Sequence, residues 1–245
     1  KGSFLQRSLF PFLVFCYGEC MAGRKKSVSV QEELLLCPSA KPGDWFPGIP
    51  VSAVAGIDEA GRGCLAGPVV AAAVILPEGA VIPGLADSKV LSPTRRDGLA
   101  AEIGAVALAW GLGVVWPPEI DRINILQATY EAMRQAVAQL PQEPDIFLND
   151  AVIIPGISEE KQIKIIKGDA KSVSIAAASI LAKVTRDHMM MEYDKIYPEY
   201  GFAKHKGYGT KMHNEAILTY GPCPIHRRTF LKKLLGEEAA MQGMK

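Results

Sequence analysis

Four carboxylates stand out by where they fall along the chain. Asp58 and Glu59 close an apolar, β-branched run and lead into Ala60-Gly61-Arg62-Gly63. Asp150 closes a second apolar run, and Asp169 lies between a third and a long helical pattern. An isolated carboxylate is expensive to take out of water, so such groups are paired, hydrogen-bonded or metal-bound. Sites in α/β sheets also collect at the C-terminal ends of strands. If the three strands are neighbours, the carboxylates converge, and their repulsion calls for cations. Oxygen-only ligand sets suit Mg2+ or Mn2+ rather than Zn2+. Two such ions about 4 Å apart serve in-line displacement at a phosphodiester, one activating water and the other stabilising the leaving oxygen. One geometric condition applies. Adjacent residues of a regular strand point to opposite faces, so Asp58 and Glu59 share a patch only if the strand breaks there. The glycines downstream allow a break. The competing reading is that strand-end carboxylates cap and form turns.

Gly61, Gly63 and Gly67 form G-x-G-x3-G. A dinucleotide fingerprint needs a helix to follow, and here a strand follows, which argues against a nucleotide-binding oxidoreductase. No P-loop run is present. A glycine-rich turn still lets backbone amides approach a phosphate or ribose hydroxyl closely. A plain strand-to-strand turn is the alternative. Asp87-Ser88-Lys89 precedes a helix start, where turn chemistry is the simplest account, although Lys89 could reach a phosphate. Ser174 and Ser179 lie in an alanine-rich helical stretch without a nucleophile elbow. Asp187 and His188 fall mid-helix.

Charge sharpens the picture. The 245 residues carry 27 Lys+Arg against 26 Asp+Glu, a formal net charge of +1. That balance speaks against a globally basic nucleic-acid binder. It conceals a polarised distribution. Between Tyr200 and Leu235 stand Lys204, Lys206, Lys211, Arg227, Arg228, Lys232 and Lys233 against the single acid Glu215, a regional charge of +6. Phe202, His205, Tyr208 and His213 are interleaved. Lys and Arg supply affinity for phosphates, and a tyrosine ring can stack on a base or sugar. A solvated basic face is the alternative. An acidic patch for metals and a basic stretch for a polyanion together point to a nuclease.

Elements must place these groups. Val51–Asp58 and Pro68–Leu76 read as strands of a hairpin. Ser92-Pro93 opens a short helix as N-cap and first helical residue. Ala105–Val115 is a third strand. Pro117-Pro118 opens a helix on which Ile123, Leu126, Tyr130, Met133, Val137 and Leu140 share one face. Asp145–Asn149 and Gln162–Ile166 are short strands leading to Asp150 and to Gly168-Asp169. A long helix spans about 172–193, and shorter ones lie near 211–219 and 227–235. This order argues for α/β with a mixed sheet.

Hydrophobic residues make up 49 % and charged residues 22 %, too apolar for a disordered chain. No apolar run reaches the roughly 20 residues that span a bilayer. Five scattered cysteines (Cys16, Cys20, Cys37, Cys64, Cys223) form no disulfide framework, and a reducing compartment is expected. Residues 9–17 form an apolar run behind Lys1 and Arg7, which reads as a signal-like segment or as upstream in-frame sequence, Met21 being a natural start. Residues 38–50 read as a linker.

The residues themselves are similar to a known family. Gly56-Ile57-Asp58-Glu59-Ala60-Gly61-Arg62-Gly63, then Leu65-Ala66-Gly67-Pro68-Val69-Val70, resembles the signature of bacterial ribonuclease HII. The resemblance continues through Asp87-Ser88-Lys89, residues 124–129, Lys167-Gly168-Asp169, residues 175–187, Lys206-Gly207-Tyr208-Gly209-Thr210 and His226-Arg227-Arg228, over about residues 51–235. It implies an α/β fold, a ribonuclease-H-like mixed β-sheet flanked by helices with a C-terminal helical extension. It implies an endoribonuclease that cleaves the RNA strand of RNA–DNA hybrids and incises 5′ of single ribonucleotides in duplex DNA, leaving 3′-hydroxyl and 5′-phosphate ends. The cofactor implied is Mg2+ or Mn2+. The family's metal-binding carboxylates match Asp58, Glu59, Asp150 and Asp169. Its ribose-reading turn matches Gly61, Arg62 and Gly63, and the 2′-hydroxyl is the local mark separating RNA from DNA. Tyr208 matches the tyrosine that stacks on the deoxyribose 3′ of the ribonucleotide, and Lys89 matches a phosphate contact. Lys204, Lys206, Lys211, Arg227 and Arg228 are further candidates for phosphate contacts.

The chain departs from the family pattern in places. Ala151 follows the third carboxylate where glycine is usual, Asn149 precedes it where an aliphatic residue is common, and Cys64 stands where proline is frequent. The expected organisation is an N-terminal extension over 1–50, a catalytic domain over 51–235 whose helical part covers about 200–235, and a tail over 236–245. The expected protein is a cytoplasmic monomer with nucleic acid as its partner and no membrane. A non-catalytic nucleic-acid-binding module that kept the fold is the alternative, and the full carboxylate set argues against it.

Overall fold

The computed structural model describes residues 53–77, 80–85 and 91–241. Lys89, the N-terminal fifty residues and their apolar run, and the linker reading of 38–50 lie outside the described residues. Val54–Ala60 (β1) and Val69–Ile75 (β2) are apolar along nearly their whole length and buried on both faces. Strands covered on both sides read as continuous apolar runs rather than alternating ones. Ala109–Val115 (β3), Ile146–Asp150 (β4) and Gln162–Ile165 (β5) complete a five-stranded sheet in the order β3-β2-β1-β4-β5. The β1-β2-β3 half is antiparallel, while β1, β4 and β5 run parallel. The sheet is therefore mixed, as expected.

Helices cover both faces. Val173–Ile196 (α4) lies on one, over Val70, Ala72 and Val74. It sits so close that a Cβ on Gly56 would fall 2.1 Å from the Ser174 carbonyl carbon. Pro93–Val106 (α1) packs on the same side, capped by Ser92, whose hydroxyl accepts from the Arg95 N–H. The other face carries Ile125–Ala138 (α3), where a Cβ on Gly113 would lie 1.8 Å from the Ala132 carbonyl oxygen.

Two elements differ from the periodicity reading. The third strand begins at Ala109, because α1 continues to Val106. The helix opened by Pro117 is two helices, Pro117–Ile123 (α2) and α3, broken at Asn124 with φ 69°. The Asn124 side chain accepts from the Leu126 and Gln127 N–H groups and restarts the helix. Met133 of the expected face is buried, and Ile123, Tyr130, Val137 and Leu140 pack against the same core, but Leu126 is exposed and the closest contacts with the sheet come from Ala128, Ala132 and Ala136. Only small side chains fit where the helix backbone nearly touches the sheet glycines.

Beyond α4 the chain builds a small second core from Tyr193, Tyr200, Phe202, Ile217, Ile225 and Leu231. Its helices are Phe202–His205 (α5), Lys211–Tyr220 (α6), Lys232–Leu235 (α7) and Glu237–Met241 (α8). The expected single helix near 227–235 is a 3-10 turn, Arg228–Phe230, followed by α7. The tail expected over 236–245 includes α8, whose Ala240 is buried. No helix among the described residues is long and apolar enough to cross a membrane.

Candidate active site

The parallel half of the sheet brings the acidic strand ends together. Ile57 pairs with Asn149, so Asp58 lies beside Asp150, and Asp150 in turn pairs with Ile165 of β5. Four residues further on, Asp169 sits in a 3-10 turn, Gly168–Ala170, that leads into α4. The turn is tied back to β4, because the Gly168 N–H donates to Asp150 Oδ1 at 2.8 Å. Asp58 and Asp169 are buried, at 6 % and 5 % exposure.

The strand does not break between Asp58 and Glu59. Pairing with β2 continues through Glu59–Ala71 and Ala60–Val70, so the expected break is absent and the two side chains leave β1 in alternation. At the strand end they nevertheless stay close enough for Glu59 to act on Asp58 and for Asp150 to act on both, so one patch forms without a break. Asp58 is on the α4 side, where the Ser179 hydroxyl donates to it. Its Oδ1 also accepts from the Glu59 N–H at 2.7 Å. Glu59 bonds Arg62 Nη1 at 3.1 Å through Oε1, and its buried Oε2 has no hydrogen-bond partner.

The electrostatics record this crowding. Burial first, and then the charge of Glu59, push the Asp58 carboxyl well above the usual carboxylate range, with Asp150 adding to the effect. Burial also raises Glu59, and the Arg62 guanidinium opposes it. The donor set is all oxygen, its potential is negative, and one buried oxygen is unpaired. That chemistry fits a hard divalent cation. Among the described residues no three Asp, Glu, His or Cys side chains are grouped closely enough to hold an ion, so the patch offers oxygen donors without a closed ligand set.

The departures around Asp150 have structural accounts. Ala151 takes up φ 55°, the left-handed conformation that favours glycine. Asn149 is fully buried and donates from Nδ2 to Gln162 Oε1 at 2.9 Å. Gln162 then donates to the Ile154 and Ile157 carbonyls and accepts from the Ile154 N–H. This amide pair braces the loop after Asp150. Periodicity did not single out Gln162, and the only signal was the unusual Asn149.

Gly61, Arg62 and Gly63 form a turn beside this patch, with Arg62 and Gly63 exposed and Gly61 buried at φ 97°. Tyr208 stands near it, 43 % exposed, and its hydroxyl is hydrogen-bonded to the Cys64 thiol. The Lys183 ammonium and the Arg186 guanidinium lie 5.7 Å and 5.9 Å from its ring centre. Lys183 also pairs with Asp187 at 2.6 Å.

The basic stretch divides. Lys204 and Lys211 are exposed, and Lys211 faces Glu215 at 3.8 Å. Lys206 is half-buried, with its ammonium on the Ala203 carbonyl. Arg228 is half-buried and directed at the Pro222 carbonyl. Arg227 is a correction: it is completely buried, with its guanidinium donating to the Gly67 and Arg62 carbonyls, so it is no surface phosphate contact. Phe202, His205 and His213 are likewise buried and belong to the second core rather than to a stacking surface.

Residues 55–233 match the family model described as Ribonuclease HII. A curated ribonuclease HII from Geobacter metallireducens is 62 % identical over 179 residues, covering 73 % of this chain and 83 % of that one. The ribonuclease HII of Caldanaerobacter subterraneus is 56 % identical over 182 residues, covering 74 % and 75 %. Among solved structures, the ribonuclease H2 of Pyrococcus horikoshii superposes with a TM-score of 0.62 at 29 % identity, over 78 % of this chain and all of that one.

Proposed function

The chain belongs to the ribonuclease HII family, endoribonucleases of the ribonuclease H type. From that premise we propose that it cleaves the RNA strand of RNA–DNA hybrids and incises duplex DNA on the 5′ side of a single embedded ribonucleotide. The products carry 3′-hydroxyl and 5′-phosphate ends. The observation that supports this most is the convergence of Asp58, Asp150 and the Asp169 turn beside a glycine turn exposed at Arg62 and Gly63 and an exposed tyrosine.

In this reading Asp58, Glu59, Asp150 and Asp169 hold Mg2+ or Mn2+. Bound there, the cations would polarise the scissile phosphate and lower the pKa of an attacking water. The protein's own residues do the rest. Ser179 and the Glu59 N–H hold the Asp58 carboxylate in one orientation. The Gly168 N–H does the same for Asp150. In the Gly61-Arg62-Gly63 turn, Gly63 is exposed with open space where a side chain would stand, so main-chain groups there can come close to a 2′-hydroxyl. The exposed face of Tyr208 takes the next sugar, and an ordinary deoxyribose packs there without a hydroxyl to desolvate. Lys204 and Lys211 supply phosphate affinity at the rim, so binding weakens with salt. The protein acts as a monomer in the cytoplasm.

The test is a labelled DNA duplex with one ribonucleotide. The purified protein should nick it 5′ of that residue with Mg2+ or Mn2+ and leave an all-DNA duplex whole. An intact ribonucleotide duplex with both metals would overturn the reading. Asp150→Asn should abolish nicking in a folded protein, and retained activity would remove Asp150 from the site.

A further inference from the structure

Two buried arginines lie behind the substrate-facing surface, and neither takes part in the chemistry described above. Arg186, from α4, is 0 % exposed. Its Nε donates to the Pro68 carbonyl at 2.9 Å, its Nη2 to Ala66 at 3.0 Å and its Nη1 to Lys206 at 2.9 Å. Arg227, also 0 % exposed, donates from Nε to the Gly67 carbonyl at 3.0 Å and from Nη1 to Arg62 at 2.8 Å. Arg186 thus bridges two separate stretches, the exit of the turn at 66–68 and the loop at 206 that carries Tyr208, while Arg227 ties Arg62 of the turn to that same exit at Gly67. A charged group is costly to bury, and carbonyl acceptors around it reduce that cost. A guanidinium is also a rigid planar fork. It sets the spacing of the carbonyls it bridges in a way a flexible ammonium cannot.

Other contacts close the same unit. The Leu65 N–H donates to the Gly207 carbonyl, and the Arg227 N–H donates to the Leu65 carbonyl, both at 2.8 Å. The Cys64 thiol meets the Tyr208 hydroxyl. Packing leaves no slack: a Cβ on Gly61 would fall 2.1 Å from Arg186 Nε, and one on Gly207 would fall 2.5 Å from the Ala66 carbonyl oxygen.

We propose that Arg186 and Arg227 are positioning residues that lock the Gly61-Arg62-Gly63 turn to Tyr208 at a fixed spacing, and that this spacing sets the preference for a ribonucleotide followed by a deoxynucleotide over continuous RNA. The proposal rests on the functional reading above. A junction must satisfy two demands at once, a 2′-hydroxyl at the turn and a bare deoxyribose at the tyrosine. Continuous RNA offers a ribose at both places. A rigid spacing reads both positions together, and a loose one reads each separately.

The experiment compares kcat/KM on two labelled substrates, a DNA duplex with one ribonucleotide and a uniform RNA–DNA hybrid, for the full chain and for Arg186→Lys and Arg227→Lys. The ratio of the two should fall roughly tenfold or more in each variant, since small misplacements at a reading site carry large rate penalties. A parallel drop on both substrates, or no change, marks the arginines as merely structural and overturns the proposal. Circular dichroism reports folding. If the lysine variants do not fold, Cys64→Val and Cys64→Ser decide the question. Valine removes the tie to the Tyr208 hydroxyl and should lower the ratio, while serine keeps it and should retain the ratio. An unchanged ratio in Cys64→Val then overturns the proposal. Wild-type protein that cleaves neither substrate overturns the functional reading and this inference with it. Wild-type cleavage with invariant ratios removes the inference alone.

Discussion

The carboxylate patch and the histidine cluster of the second core are both buried groups of titratable side chains, and they are built on opposite plans. His226 Nδ1 accepts from the Cys223 N–H at 3.0 Å, which leaves the proton on Nε2. That proton goes to His213 Nε2, 3.0 Å away, and His213 Nδ1 donates to the Tyr208 carbonyl at 2.9 Å. His205 stacks on His213 with ring centres 4.3 Å apart. It accepts from the Gly207 N–H and donates to the Tyr200 carbonyl. Each ring is neutral and partnered. Burial pushes His226 down to about 3 and His213 down to about 4. The carboxylates have no such closure. Asp58 and Glu59 are crowded by each other and by Asp150, and a buried Glu59 oxygen lacks a partner. Burial is inexpensive where every polar atom is satisfied and expensive where charge is left over. The first arrangement holds a fold together. The second holds a potential that a cation can use.

The contrast is sharpest if removing a group from each region has opposite effects. Asp58→Asn should lower nicking by at least about a hundredfold, the scale seen when one preorganised electrostatic group is removed. The same change should raise the melting temperature of the metal-free protein, because a crowded buried charge is gone. Mn2+ should raise the melting temperature of the wild type more than that of the variant. A destabilised Asp58→Asn protein would contradict the picture of a patch under electrostatic stress.

In the second core, His226→Ala should cost about 2–4 kcal/mol in urea unfolding, combining a cavity with orphaned partners. A cost near zero would show that the relay contributes no stability.

The pH dependence follows from the signs. The folded-state values of His213 and His226 lie below the ordinary 6.5. Their stabilisation is fully present above that value and is lost as pH falls toward 4 and 3, by up to about 1.4 kcal/mol per pH unit for each ring that titrates. Asp58 and Glu59 are raised, so their contribution favours folding in acid and is lost as pH rises through their folded values. Between pH 7 and 4, the stability gap of the wild type over His226→Ala should shrink. The gap of Asp58→Asn over the wild type should shrink as well. Urea titrations of the three proteins at several pH values check both.

The smallest expected effect is at Ala151. A non-glycine residue in the left-handed region costs roughly 1–2 kcal/mol, against which glycine loses some chain entropy. Ala151→Gly should stabilise the protein by up to about 1 kcal/mol, with nicking unchanged.

Much of the fold was legible in the chain, with instructive exceptions. The strand leading to Asp150 and the long helix after Asp169 announced themselves through apolar runs and an alanine-rich stretch, because those patterns are local. The break at Asn124 did not. It depends on one side chain capping a helix that the apolar spacing would have continued, and the closest α3 contacts, at Ala132 and Ala136, answer to sheet glycines 111 and 113. The candidate site shows the same division. Asp58, Glu59, Asp150 and Asp169 could be named as strand-end acids. Ser179, Gln162 and Arg186 could not, since their roles exist only across contacts distant in sequence.

Arg227 carries the clearest lesson. Its charge and its place in a basic stretch made it a surface contact, yet it is fully buried on main-chain carbonyls. Residue type and periodicity by themselves determined the strand and helix runs, the acidic strand ends, the glycine turn and the regional charge, because each depends on chemistry within a few residues. Tertiary structure alone decided which strands are neighbours, which basic groups meet water, and how the turn is tied to Tyr208. Those outcomes depend on pairing and packing between segments up to 165 positions apart, such as Arg62 and Arg227, and no local pattern encodes such a distance.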